Sequence, residues 1–308
     1  MTKRLLPLLA TILVTGLLVS GQAQACACGC GVFAVGTSSL LPSGTGGTAF
    51  LEYDYMNQDQ NWNGASSAPA ANNDDKNIRS DFYVAGLQYM FNRDWGLSLE
   101  VPYTQRLFTT TQDDGTIGSF DHSAFGDIRL MGMYTGFSDD MSTGLSFGLK
   151  FANGDYTYQG FDRDTSIGTG TTNLLLGIYH QTSLNADNTW TGFAQAHYDR
   201  AFDERAGYRP GNELDAAIGV DYSGWQFGHD TTLAPVLQLL YSDRLRDTGV
   251  ESDNPDSGYQ RFLAAPGLEL DTGRLKFYAD VEFPLYQDVN GNQLVARELY
   301  KLIVAFSF

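Results

Sequence analysis

The chain has 308 residues, with 36 Asp or Glu against 19 Lys or Arg, and its formal net charge of -17 excludes nucleic acid as a partner. Only 18% of residues are charged and 43% are apolar, with 34 Gly, 17 Tyr and 19 Phe, a balance that excludes disorder and favours β-structure. The three cysteines lie within one short stretch, so no disulfide framework holds the fold.

Met1 to Ala25 reads as a secretory signal peptide: a basic start at Lys3 and Arg4, an apolar stretch from Leu5 to Val19, and Ala23-Gln24-Ala25 as the cleavage site. Cleavage there makes Cys26 the first mature residue, and a lipoprotein start at Cys26 is the competing reading. Residues 26–46 form a Cys/Gly-rich segment ahead of the first strand. Cys26, Cys28 and Cys30 stand at every second position, a spacing that disfavours unstrained disulfides among them. As soft ligands they suit Cu(I) or Zn(II), so the segment reads as a plug, a metal site or a contact for a periplasmic partner. Intermolecular disulfides in an oxidising compartment are the alternative.

No later apolar run approaches the roughly 20 residues of a membrane helix, so any span is made of strands. From residue 47 to 308 the chain repeats period-two segments of about ten residues. Twelve strands are expected, at 47–57, 79–91, 95–108, 124–137, 142–152, 171–183, 189–201, 212–223, 228–243, 258–270, 274–286 and 296–308. The clearest sets Leu145, Phe147, Leu149 and Phe151 against Ser146, Gly148 and Lys150. An even count with continuous apolar rows predicts an all-β, transmembrane antiparallel up-and-down barrel whose apolar rows face outer-membrane lipid. Short turns at 92–94, 138–140, 185–188 and 271–273 alternate with longer connections at 57–78, 109–123, 153–170, 202–211, 244–257 and 288–295. That asymmetry places the short turns and both termini in the periplasm of a Gram-negative cell.

The opposite rows then line the lumen with Glu52, Asp54, Glu100, Arg106, Asp127, Arg129, Lys150, Asp199, Asp215, Asp221, Arg261, Glu269, Lys276, Asp280, Glu282, Arg297 and Lys301. Interior charges need partners wherever water is scarce, so most are expected to pair across a narrow bore and the remainder to set selectivity. The strand prolines Pro102, Pro235, Pro266 and Pro284 each remove a ladder donor and mark expected bulges. At the C-terminus Tyr300, Leu302, Val304, Phe306 and Phe308 share one face. That pattern resembles the terminal assembly signal of outer-membrane barrels.

Phe125-Gly126-Asp127-Ile128-Arg129-Leu130-Met131-Gly132-Met133-Tyr134 follows a Glu100-Val101-Pro102-Tyr103 strand and precedes Gly148-Leu149-Lys150-Phe151. In pattern and order this resembles the outer-membrane transporter family named for the MetA pathway of phenol degradation. The resemblance implies a barrel through which small solutes, aromatic or hydrophobic, cross the outer membrane.

Other signals are weaker. Asp162 to Gly168 and Asp288 to Asn292 carry oxygen side chains at alternate positions but lack the closing Glu of a calcium loop, and read as solvated acidic turns. The histidines His122, His180, His197 and His229 are scattered, no serine is placed opposite His180, and no phosphate loop survives its context, so the chain does not read as an enzyme. Two functions stay in view: a passive channel for small solutes, and an outer-membrane protein whose Cys segment binds a metal or partner.

Overall fold

Period-two alternation becomes a closed wall in the computed structural model, which describes residues 33–36, 38–228 and 230–308. Its strands are β1 (Gly46–Gly64), β2 (Ser66–Ser67), β3 (Asp75–Met90), β4 (Trp95–Thr111), β5 (Ile117–Phe125), β6 (Arg129–Tyr134) and β7 (Thr143–Lys150). They continue as β8 (Asn173–Ser183), β9 (Trp190–Ala201), β10 (Glu213–Tyr222), β11 (Trp225–Phe227), β12 (Thr231–Arg244), β13 (Tyr259–Asp271) and β14 (Leu275–Ser307).

Around the wall the order is β10-β9-β8-β7-β6-β4-β3-β1-β14-β13-β12, and pairing of β10 with β12 closes it. All pairs are antiparallel. β14 serves twice: its first arm pairs with β13 and its second with β1. The fold-back lies at Asn290-Gly291, where Gly291 takes a φ of 61°. Eleven wall strands thus supply the twelve staves that the sequence pattern predicts, and β2, β5 and β11 lie off the path.

Hydrophobicity places this wall in lipid. Leu51, Leu87, Phe147, Ile218, Leu237 and Leu302 all point outward and are 45–66% exposed, where they would be stranded in water. Rings close the band at both edges: Tyr53, Tyr83, Tyr103 and Phe125 touch in series on β1, β3, β4 and β5, and Trp95 with Tyr134, and Trp190 with Tyr222, mark the end where the short turns lie.

Staves differ in height. β1, β3, β4 and β14 rise well past the outer ring row, so Asn57–Ile78 and Thr109–Ser123, expected as loops, are largely ladder. β6 to β10 stop near that row. The expected fourth strand, 124–137, is split: β5 pairs with the top of β4 and β6 with its base. Pro102 stands at the break, its carbonyl accepting from the Gly126 amide at 2.9 Å, and Asp127 is the extra residue of the interruption. At Pro284 the β13–β14 register also shifts, whereas β12 and β13 run through Pro235 and Pro266 without a bulge.

Candidate functional site

The inner face encloses a bore that the chain itself occupies. Phe33 and Val35 are 8% and 3% exposed and pack with Met56, Phe82, Leu240, Leu263 and Leu299 of the wall. Leu40 packs lower, against the cluster of Phe50, Phe193, Val236, Tyr278, Ile303 and Ala305. Residues 33–36 and 38–45 therefore lie along the lumen and lead to β1 at Gly46. Lys301, 1% exposed, holds this segment by donating to the Phe33 carbonyl at 2.8 Å and the Val35 carbonyl at 3.2 Å. From the far wall the Gly36 amide donates to Gln195 Oε1 at 3.2 Å. The cysteines 26, 28 and 30, and with them the expected Cu(I) or Zn(II) site, lie outside the described residues. Among the described residues no group of three or more His, Cys, Asp or Glu is arranged to hold a metal ion.

Charges inside the wall fall into local sets. Glu100 pairs with Arg129 at 3.3 Å, Lys150 with Asp199 at 2.7 Å, and Lys276 with Glu269 at 3.6 Å and Asp271 at 3.4 Å. Asp54 faces Lys301 across the β1–β14 ladder, and Asp280 accepts from Tyr278 at 2.6 Å and Gln238 at 3.0 Å. Glu282 is fully buried on the same arm as Asp280, and Glu52 is half-buried two residues below Asp54. Asp215 accepts from Ser242 at 2.6 Å, Arg261 covers the Tyr259 ring at 4.7 Å, and Asp221 is half-buried at the lower end of β10.

Three expected lumen residues do something else. Arg297 is exposed and pairs with Asp59 at 3.6 Å, because register slips between Met56 and Gln60 reverse the phase of the strand above Leu299. Asp127 is buried in the wall break, where it accepts from the amides of Gly154 and Thr169, both at 2.9 Å, and from the Thr169 hydroxyl at 2.7 Å. Arg106 binds the Thr165 carbonyl at 2.6 Å and the Ser166 carbonyl at 3.2 Å. Together these two residues draw the outer loop 153–170 inward. A β-carbon on Gly154 would lie 2.7 Å from the Gly126 carbonyl carbon, so only glycine admits the loop there. His122 of β5 stacks on Tyr158 of this loop at 3.7 Å and bonds Asp155 at 2.9 Å. Of the two calcium-like turns, 162–168 is part of this loop, and 288–292 is the β14 turn, tied by Asn290 to the Ser257 carbonyl at 2.9 Å. A second outer clasp centres on the fully buried Asp247, which takes Arg244 at 2.6 Å, Tyr208 at 2.9 Å and the Gly211 amide at 2.7 Å.

Between the inner segment and the wall of β3, β4 and β6 to β9 lies a cavity of about 170 Å³. Val35 and Leu40 of the segment and Val84, Met131 and Met133 of the wall make one side apolar. Glu52, Glu100, Arg129, Ser98, Gln195 and His197 make the other side polar. Gln195 has no signal in the sequence beyond its inward phase between Phe193 and Asp199, and His197 reads only as one of four scattered histidines.

No protein-family model matches the chain, and no curated protein matches it. The fold does have solved counterparts. An outer-membrane channel from Pseudomonas putida F1 superposes with a TM-score of 0.67 at 13% identity, covering 89% of this chain and all (100%) of that one. The β-domain of a Bordetella autotransporter superposes with a TM-score of 0.50 at 12% identity, covering 86% of this chain and 100% of the domain. The chain is a closed β-barrel of the bacterial outer-membrane type, similar in fold over most of its length to an outer-membrane channel.

Proposed function

We propose that the protein is an outer-membrane channel that passes small solutes with an apolar body. The observation that carries this reading is the half-apolar cavity beside the inner segment. A water-filled pore for ions is lined by polar side chains throughout, whereas here clusters of buried hydrocarbon fill the bore. The likeness to the Pseudomonas putida channel supports the same reading at the level of fold. In this mechanism the solute enters the cavity and leaves as Val35 and Leu40 shift, and the wall break at Gly126 to Ile128 adjoins Arg129, which lines the cavity. The resemblance to the MetA-pathway transporters points to the same solute class.

The test is uptake of a small hydrocarbon by cells that carry the protein against cells that carry an empty vector. Faster entry with the wild type, brought to the vector level by Val84→Trp while the barrel still shows heat-modifiable migration, is the expected result. Equal entry with and without the protein would remove the proposal.

A further inference from the structure

The polar side of the cavity is incomplete. Gln195 Oε1 is fixed by the Gly36 amide at 3.2 Å, which turns the amide nitrogen the other way. That Nε2 is buried and has no acceptor, and it can only donate. Two residues along the same face of β9, and so about 7 Å further up the strand, His197 lines the same cavity with a buried Nδ1 that also lacks a partner. Unpaired buried polar atoms are costly, and here the two belong to side chains that line one cavity, so a polar head group toward which those side chains turn relieves that cost.

Size and charge narrow the ligand. An apolar cavity of about 150 Å³ takes benzene, so about 170 Å³ holds one six-membered ring and a single polar atom group. Two carboxylates, Glu52 and Glu100, border it against one guanidinium, Arg129, which is already engaged by Glu100 at 3.3 Å. Asp199, which follows His197 on the same face, is already paired with Lys150 at 2.7 Å and leaves that lysine engaged. An anionic head finds no free cation there and meets a surplus of negative charge.

We infer that the cavity is a recognition site for an uncharged solute with a hydrocarbon body and one hydroxyl-type head, the head accepting from Gln195 Nε2 and bonding His197 Nδ1. This rests on the channel reading and adds the head group and the two side chains that select it. It also excludes small organic carboxylates of the same shape.

Three probes of matched body test it on the full-length protein in lipid nanodiscs by ligand-observed NMR titration: cyclohexanol, methylcyclohexane and cyclohexanecarboxylate. Cyclohexanol is expected to bind about tenfold more tightly than methylcyclohexane, and the carboxylate most weakly. His197→Leu, which breaks no hydrogen bond to the described residues of the inner segment, is expected to bring cyclohexanol down to methylcyclohexane and leave the latter unchanged. Equal affinity for the alcohol and the hydrocarbon on the unmodified protein overturns the inference and needs no variant to fold. So does a His197→Leu variant that weakens both equally, or carboxylate binding as tight as the alcohol. Alcohol-selective binding without uptake by cells would uphold this site and reject the channel reading alone.

Discussion

The two halves of the barrel solve the same closure problem differently. On the tall side β1, β3, β4 and β14 continue their ladders far above the outer ring row, so most backbone pairing there is with a neighbouring stave. On the short side β6 to β10 end early, and loops 153–170 and 202–212 turn inward to finish the wall. Those loops and the residues that meet them bury polar groups that a ladder would have satisfied: Asp164 and Thr165 in the first loop, Thr171 just after it, and Asp247 in the β12–β13 connection are all at most 3% exposed. A tall wall needs only strand pairing, whereas a short one needs specific side chains, such as Asp127, Arg106 and Asp247, each holding several partners.

The largest effect is expected from charge in the apolar band. Phe147→Arg on the short side places a cation in lipid at a cost of ~2–4 kcal/mol, whereas Gln105→Arg, above the ring row on the tall side, costs little. Heat-modifiable migration in gels is expected to show loss of folded barrel for the first and a normal yield for the second.

Asp127→Ala comes next. It removes a charged acceptor from three donors and costs at least ~2 kcal/mol locally, since a hydrogen bond to a charged group is worth about 1.5–3 kcal/mol. Limited proteolysis should then cut within loop 153–170 while the tall side stays resistant. Equal cleavage of both sides would blur the contrast.

Lys301→Met tests the inner segment. With its bonds to the Phe33 and Val35 carbonyls gone, ion conductance across a planar bilayer is expected to rise several-fold while barrel yield is unchanged. Identical conductance would show that packing alone retains the segment.

A smaller effect concerns pH. Burial in the inward loop pushes the Asp162 carboxyl up to about 6. A raised carboxyl favours the folded loop in its protonated form, so the loop is most stable below about pH 4 and loosens as pH rises through 6. Hydrogen exchange over 153–170 should be slower at pH 5 than at pH 7.5 after correction for intrinsic rates, and Asp162→Asn should abolish the difference. The least effect is expected for Arg93→Ala at the short β3–β4 turn, whose pairing with Asp139 is solvent-exposed and leaves thermal stability unchanged.

How far the sequence reveals this architecture follows from what lipid demands. Within the membrane every outward position must be apolar, so alternation such as Leu145, Phe147 and Leu149 marks each stave. Above the ring row that demand ends although the ladder continues. Asn57, Gln58, Asn61 and Asn63 therefore resemble a loop while pairing as strand. The phase of Arg297 was hidden by bulges that no residue type announces, and the split at Asp127 depends on what loop 153–170 does from far along the chain. For the cavity, Gln195 takes its role from Gly36, which bonds it from far along the chain, and His197 from the cavity that both side chains line.

The seam between β1 and the last arm of β14 joins Thr48 to Ser307, 259 positions apart, and ends with Gly47 and Phe308 exchanging both backbone bonds at 2.9 and 2.8 Å. The Phe308 ring lies so close over Gly47 that a β-carbon there would sit 2.3 Å from it. Because this pairing has the longest separation in the wall, its closure carries the largest loop entropy and falls late in assembly. Until then two unpaired strand edges face hydrocarbon, a state the bilayer strongly disfavours. A nascent chain therefore gains no stable place in the membrane by increments: losing the final few residues is expected to forfeit the whole insertion, and a small label fused after Phe308 should slow biogenesis more than the same label inserted in the outer turn at Asn254.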